Sequence, residues 1–314
     1  MIGRLVQRTF RAMGTSCAVA VTTRSAGEPR VERALDAGEA EVAACEQALS
    51  RFRPDSDLSR LNGGEGGWVD VDMRLLEALS AALHAREITD GKFDPTILPA
   101  LVAAGYDRTF DELEERPART ADGWRAAAEI EVDAGAGRAR VEAGAAVDLG
   151  GIGKGFSATR ALQAMQSAWP GLPGGLVDLG GDIALAGVTP DGGPWRVAIA
   201  DPRTPGATLA TLMVESGGVA TSGRDRRRFG PDRTLHHLID PATGASALAG
   251  PLTVTVVAPD ATEAEPHATA LAVSSLPEAR AHLSRFPQLS ALYVPRDGEP
   301  VAIGNLPLLA EVAA

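Results

Sequence analysis

Ala145-Ala-Val-Asp-Leu-Gly-Gly-Ile-Gly-Lys-Gly-Phe156 joins an apolar run to a glycine-dense turn and the start of a helical pattern. Residues 145–149 predict a short buried strand, 150–155 a tight loop and 157–169 a helix. In such a unit glycine lets backbone amides approach an anion near the positive end of a helix. Two familiar nucleotide loops are excluded. A Walker A loop needs glycine and a hydroxyl residue where Asp148 and Gly155 stand, and Phe156 occupies the third-glycine place of the dinucleotide pattern. The turn therefore reads either as a phosphate cradle of another kind or as a structural turn.

Working outward, strands are expected at 17–23, 176–179, 195–200, 208–215, 252–257 and 290–294, and helices at 31–52, 73–88, 261–275 and 278–286. Residues 91–99, with Phe93-Asp94-Pro95-Thr96 and Pro99, predict an ordered loop. The alanine- and charge-rich stretch 109–140 has too weak a period to place. Strands outnumber strict strand–helix alternations, so the expected class is α+β, with mixed, largely antiparallel sheets and packed helices, rather than a doubly wound sheet. Val-Asp-Leu-Gly-Gly occurs at 147–151 and again at 177–181, as a repeated strand-turn idiom or a duplicated unit.

The 314 residues are 45% apolar and 23% charged, which suits a globular chain with a sizeable core. A formal net charge of -11 argues against general nucleic-acid affinity, so an anionic ligand needs a local site. The two cysteines, Cys17 and Cys45, lie in apolar patterns and read as core residues. With no signal-peptide pattern and no apolar run long enough to span a membrane, the expected location is the cytoplasm.

Three further segments offer chemistry. Glu265 and Thr269 are four apart, hard oxygen donors on one helix face, and magnesium favours one or two carboxylates completed by phosphates and water. Glu265 before Pro266 also suits an N-terminal helix charge. In Leu235-His-His-Leu-Ile-Asp-Pro-Ala-Thr-Gly244, adjacent strand side chains diverge, so at most one of His236 and His237 faces a given site as a base. The other three histidines, His84, His267 and His282, show no paired ligand spacing for zinc. The basic run 223–229 reads as a solvated hairpin tip or a contact for phosphate or an acidic surface.

Taken in order, Met13-Gly-Thr15, Phe52 with Ser56-Asp-Leu-Ser-Arg-Leu-Asn62, Gly91-Lys-Phe-Asp-Pro-Thr96, 148–155, Leu179-Gly-Gly-Asp182, Ala220-Thr-Ser-Gly223, 237–244 and 264–270 resemble the FAD:protein FMN transferase (ApbE) family over nearly the whole chain. The resemblance implies one catalytic domain over 1–314, with room for two subdomains and the FAD site between them. It implies FAD against Met13, Phe93, Asp94, Pro95 and Asp148, with Lys154 near the phosphates; Mg2+ held by the Gly151 carbonyl, Glu265 and Thr269; and His237 as base, with Lys154 a second catalytic cation. The implied partner is an acceptor flavoprotein with a threonine or serine motif, and AMP is released. Two departures stand out: Glu265 replaces the family's usual aspartate, with Pro266-His267 in place of small or aliphatic residues, and the signal peptide or lipoprotein cysteine of the many members that act outside the cytoplasmic membrane is not seen. An FAD-binding relative without turnover and an FAD pyrophosphatase are the rival expectations.

Overall fold

A computed structural model describes residues 3–25, 27–108, 124–224, 228–229 and 235–309. In chain order these form β1 (Arg4–Ala12), β2 (Thr15–Thr23), α1 (Pro29–Leu49), α2 (Asp57–Asn62), β3 (Val69–Asp70), α3 (Met73–Ile88), α4 (Leu98–Ala104), β4 (Ile130–Asp133) and β5 (Arg138–Val141). There follow α5 (Gly153–Ala168), β6 (Gly174–Leu179), β7 (Asp182–Gly187), β8 (Trp195–Ala200), β9 (Thr208–Val214), β10 (Gly217–Gly223), β11 (Arg228–Phe229), β12 (Leu235–His236), β13 (Ile239–Asp240) and β14 (Ala245–Ser246). The last elements are β15 (Thr253–Ala258), α6 (Ala261–Ala272), α7 (Leu276–Leu283), β16 (Ser290–Val294) and β17 (Val301–Ile303).

Eight strands form the main sheet in the order β1-β2-β6-β7-β10-β15-β16-β17, with every neighbouring pair antiparallel. The α+β expectation holds. Helix α1 buries Val31, Leu35, Val42, Cys45 and Leu49 at three- to seven-residue intervals on one side, the spacing of an amphipathic helix. Val31, Leu35 and Val42 meet Val19 and Val21 of β2 and Ala161 and Met165 of α5 in one cluster, while Cys45 and Leu49 pack with Leu75 and Leu79 of α3 in another. Gly38 permits the approach, since a Cβ there would lie 2.9 Å from the Met165 thioether. On the opposite side of the sheet, Trp195, Val197 and Ile199 of β8 pack with Leu185, Leu292 and Val294. Each large apolar side chain so buried contributes about 1.5–3 kcal/mol, more than the propensity differences that separate helix from strand for single residues.

Several expectations are corrected. Residues 145–149 form no strand; Val147 exchanges backbone hydrogen bonds with the Asn62 side chain at 2.7 and 2.9 Å, and Asp148 N–H donates to the Pro95 carbonyl. The following helix begins at Gly153, so Lys154 lies in its first turn and not in a loop. Pro99 sits in the first turn of α4, where its missing N–H costs nothing. Strands β1, β7 and β10 escape pattern reading because β1 is a largely exposed edge and β10 is glycine-rich. Within the unplaced stretch, β4 and β5 form a hairpin tied by Arg140–Glu131 at 2.5 Å and Arg138–Asp133 at 3.1 Å, while 109–123 lie outside the described residues. The repeated Val-Asp-Leu-Gly-Gly marks no duplication. Its second copy closes β6 on the Gly180-Gly181 turn, whereas its first is unpaired coil.

Candidate active site at the crossing of α5 and α6

Helices α5 and α6 cross at Gly155, where a Cβ would stand 2.1 Å from the Ala261 carbonyl oxygen and 3.1 Å from Glu265 Cβ. Only a glycine allows this approach, and the approach brings together residues more than a hundred positions apart. Asp260 caps α6 by accepting from the Glu263 N–H at 2.9 Å, so Glu265 stands beyond the first turn. It is 2% exposed, which removes the reading of it as a solvated N-terminal charge. One Glu265 oxygen accepts from Lys154 Nζ at 2.5 Å and the other from the Gly155 N–H at 2.7 Å.

Lys154 also contacts the buried Asp182, at the start of β7. Burial opposes its charge, but Asp182 and Glu265 together raise the ammonium above the ordinary lysine value. Burial and the charge of Asp182 push the Glu265 carboxyl up, with Lys154 and the Gly155 N–H acting against them. Asp178, on β6, is raised in the same way by burial, and its carboxylate accepts from the Gly181 N–H at 2.7 Å. Two carboxylates and one ammonium leave a local excess of negative charge.

One turn along α6, the Thr269 hydroxyl lies 3.4 Å from the Gly151 carbonyl oxygen and 3.4 Å from Ser222 Oγ. A side chain on Gly151 would meet Thr269 at 3.0 Å and the Phe93 ring at 3.2 Å, so the turn is shaped by its lack of one. Phe93 is buried. Asp94 uses one oxygen on the Thr96 N–H and hydroxyl, at 2.8 and 2.7 Å, and the other on the Ala127 N–H at 2.6 Å. Its carboxylate thus fixes the loop, and Pro95 hands the loop on to Asp148 through its carbonyl at 2.8 Å.

Asp148 accepts from the Gly150 N–H at 2.8 Å and pairs with Arg51 at 2.6 Å. Arg51 lies 4.1 Å from the Phe52 ring centre and 4.9 Å from that of Tyr106, and donates to the Tyr106 carbonyl at 3.0 Å. The Tyr106 ring stands 6.5 Å from that of His237. Asp148, Arg51, Tyr106 and His237 thereby form one connected wall. His236 meets the Ala247 carbonyl through Nε2 at 3.1 Å; β12 ends at His236, so His237 lies just past the strand and the strand alternation expected for the pair does not apply.

A profile of the ApbE family matches residues 13–293. The chain belongs to the ApbE family. Its relatives include the FAD:protein FMN transferases of Treponema pallidum (strain Nichols), 33% identical over 93% of this chain and 84% of the relative, and of Klebsiella pneumoniae (strain 342), 28% identical over 92% and 84%. The crystal structure of the ApbE protein from Thermotoga maritima superposes with a TM-score of 0.83 at 28% identity, covering 96% of this chain and 97% of that one. The flavin transferase ApbE of Vibrio cholerae, at 24% identity, shares the fold with a TM-score of 0.81 over 96% and 97%.

Within this ApbE-family chain, the Gly151 carbonyl, Thr269 hydroxyl and Glu265 carboxylate are hard oxygen donors of the kind Mg2+ takes. The excess negative charge beside them favours a cation. Among the described residues no three His, Cys, Asp or Glu side chains converge on a metal position; an ion on these oxygens would take its remaining ligands from phosphate or water. Met13 has φ 51° in the β1–β2 turn, and its N–H donates to Glu46 at 2.6 Å. Sequence reading missed Arg51, Asp182 and Ser222 as members of the site. Asp182 and Ser222 had a signal, since they fall in the Leu179-Gly-Gly-Asp182 and Ala220-Thr-Ser-Gly223 motifs; Arg51 had none beyond lying beside Phe52. In the basic run, Arg224 is buried rather than solvated.

Proposed function

We propose that the chain is a magnesium-dependent FAD:protein FMN transferase, moving FMN from FAD to a threonine or serine hydroxyl of an acceptor flavoprotein. The observation that carries this reading is the joining of Lys154 and Gly151 to Glu265 and Thr269 across the α5–α6 crossing, together with the family. FAD would lie against the Met13 turn, Phe93, Asp94, Pro95 and Asp148, its pyrophosphate toward Lys154 and the α5 N-terminus, where backbone amides and the helix dipole favour negative charge. Gly151, Glu265 and Thr269 would hold Mg2+, which when bound acts as a Lewis acid on the pyrophosphate oxygens.

His237 takes the proton of the acceptor hydroxyl as that oxygen attacks the FMN phosphorus. The bond from this phosphorus to the bridging oxygen breaks, AMP leaves with that oxygen, and a phosphoester joins FMN to the acceptor. Lys154 offsets charge that grows on the phosphate oxygens during the step. The wall from Asp148 through Arg51 and Tyr106 would keep the His237 ring in register with the flavin end of the site. No helix among the described residues is long and apolar enough to cross a membrane; a cytoplasmic place of action is part of this proposal.

Incubation with FAD, Mg2+ and an acceptor domain tests the reading by intact mass. An acceptor heavier by one FMN less water, with equimolar AMP, is expected. Bound FAD with no AMP would instead indicate a flavin-holding protein, and free FMN with AMP a pyrophosphatase.

A further inference from the structure

Strand β10 lays a row of small side chains under α6. Gly218, Ala220 and Ser222 fall on one face of the strand. A Cβ on Gly218 would stand 2.1 Å from the Ala261 nitrogen, and Ala220 packs in one cluster with Ala264 and Ala268. From that clamped start, the strand from Gly218 to Ser222 advances about 13 Å, and the helix from Ala261 to Thr269 rises about 12 Å. The match brings Ser222 Oγ to 3.4 Å from Thr269 Oγ1. The neighbouring Thr221 is committed elsewhere, since its hydroxyl lies 2.8 Å from that of Thr255, its partner in β15.

Among the described residues the Thr269 hydroxyl has two hydrogen-bonding neighbours, the Gly151 carbonyl oxygen and Ser222 Oγ, each at 3.4 Å. Both separations exceed the roughly 2.5–3.0 Å of an ordinary O–H···O bond, so neither partner holds the proton tightly. A hydroxyl carries one proton and two lone pairs. When such an oxygen lends a lone pair to a cation, its proton points away from that cation. The Gly151 carbonyl, read as a donor to the same ion, lies on the cation's side and is the wrong acceptor. Ser222 Oγ is the acceptor that remains. Outer partners of this kind orient a metal-binding group and raise its basicity. An alanine in place of Ser222 would return the proton to the carbonyl that the ion needs.

We infer that Ser222 is a positioning residue for the divalent ion, accepting the Thr269 proton so that the threonine oxygen turns a lone pair to the metal. The inference rests on the reading of Gly151, Glu265 and Thr269 as the ion's ligands. Its test is the affinity for Mn2+, titrated by electron paramagnetic resonance against the FAD-loaded protein without acceptor. Ser222→Ala should weaken Mn2+ binding about tenfold. Ser222→Thr, which keeps the hydroxyl, should bind as wild type does, and Ser222→Ala added to Thr269→Ala should cost nothing further. An unchanged Mn2+ affinity in Ser222→Ala would overturn the inference. So would a loss that Ser222→Thr does not reverse, or one of equal size in the Thr269→Ala background, since either would trace to packing and not to the hydroxyl pair. Failure of Ser222→Ala to hold FAD would also overturn it, placing the serine against the flavin. If wild type binds no Mn2+, or Thr269→Ala binds it as tightly as wild type, the ligand reading itself fails.

Discussion

Lys154 is where the two halves of the site meet, and its two carboxylate partners are almost out of water. Replacing one member of such a buried group leaves uncompensated charge, at a cost of about 3–5 kcal/mol. Lys154→Met should therefore lower the unfolding midpoint at pH 8. A carboxyl whose folded pKa is raised contributes stability at low pH and loses it as pH rises through the folded value. The deficit in Lys154→Met should therefore shrink as pH falls toward 5 and Glu265 takes a proton; denaturation at both pH values decides, and an equal deficit would place the fault in packing. His237→Ala should leave FAD affinity unchanged and slow transfer by about 10²–10⁴-fold, read in single turnovers. A wild-type rate would assign the base elsewhere. Most of these residues were legible from sequence because they fall in short motifs. Arg51 and Asp182 were not given roles, since a role conferred by a partner distant in the chain leaves no local spacing to read.

At the scale of elements, the site depends on how closely α5 and α6 approach. Gly155→Ala would push a methyl into the Ala261 carbonyl, and overpacking of this kind costs about 1–3 kcal/mol. Its denaturation midpoint should fall and its divalent-ion affinity with it; an unmoved midpoint would show that the crossing has slack. Helix α6 carries a second strain. Burial, helped by the positive fields of His282 and His84, lowers the His267 pKa to about 3, and its Nδ1 lies 2.8 Å from His282 Nε2. A histidine kept neutral in the fold lets the unfolded chain take the proton first, below about 6.5. Stability should thus drop as pH falls from about 6.5 toward 3, by up to about 1.4 kcal/mol per pH unit. His267→Leu should flatten that limb in thermal melts between pH 6 and 4; an unchanged slope would remove His267 as its source. Helices were read well because their apolar faces repeat over many residues, as in α1 and α3. Residues 145–149 were misread because an apolar segment held by the Asn62 side chain has a strand's composition without a ladder.

For the molecule as a whole, the antiparallel sheet stacks α1 and α5 on one side and the β8–β9 hairpin on the other. The strand pairing itself was not legible in the sequence, because β6–β7 and β10–β15 are hairpin or crossover neighbours chosen by the packing of the whole. What the arrangement achieves is to bring a glycine turn, a lysine at a helix start and the donors of a late helix to one point, beside a wall ending in His237. The most direct measurement is a crystal structure of the FAD complex soaked in Mn2+, located by anomalous scattering. A peak is expected about 2.0–2.3 Å from the Gly151 carbonyl oxygen, the Thr269 hydroxyl and a Glu265 oxygen, also bound to the FAD pyrophosphate, with Lys154 displaced from that glutamate oxygen. A manganese peak elsewhere, with Lys154 still seated on Glu265 in a complex that turns over, would contradict the proposed site.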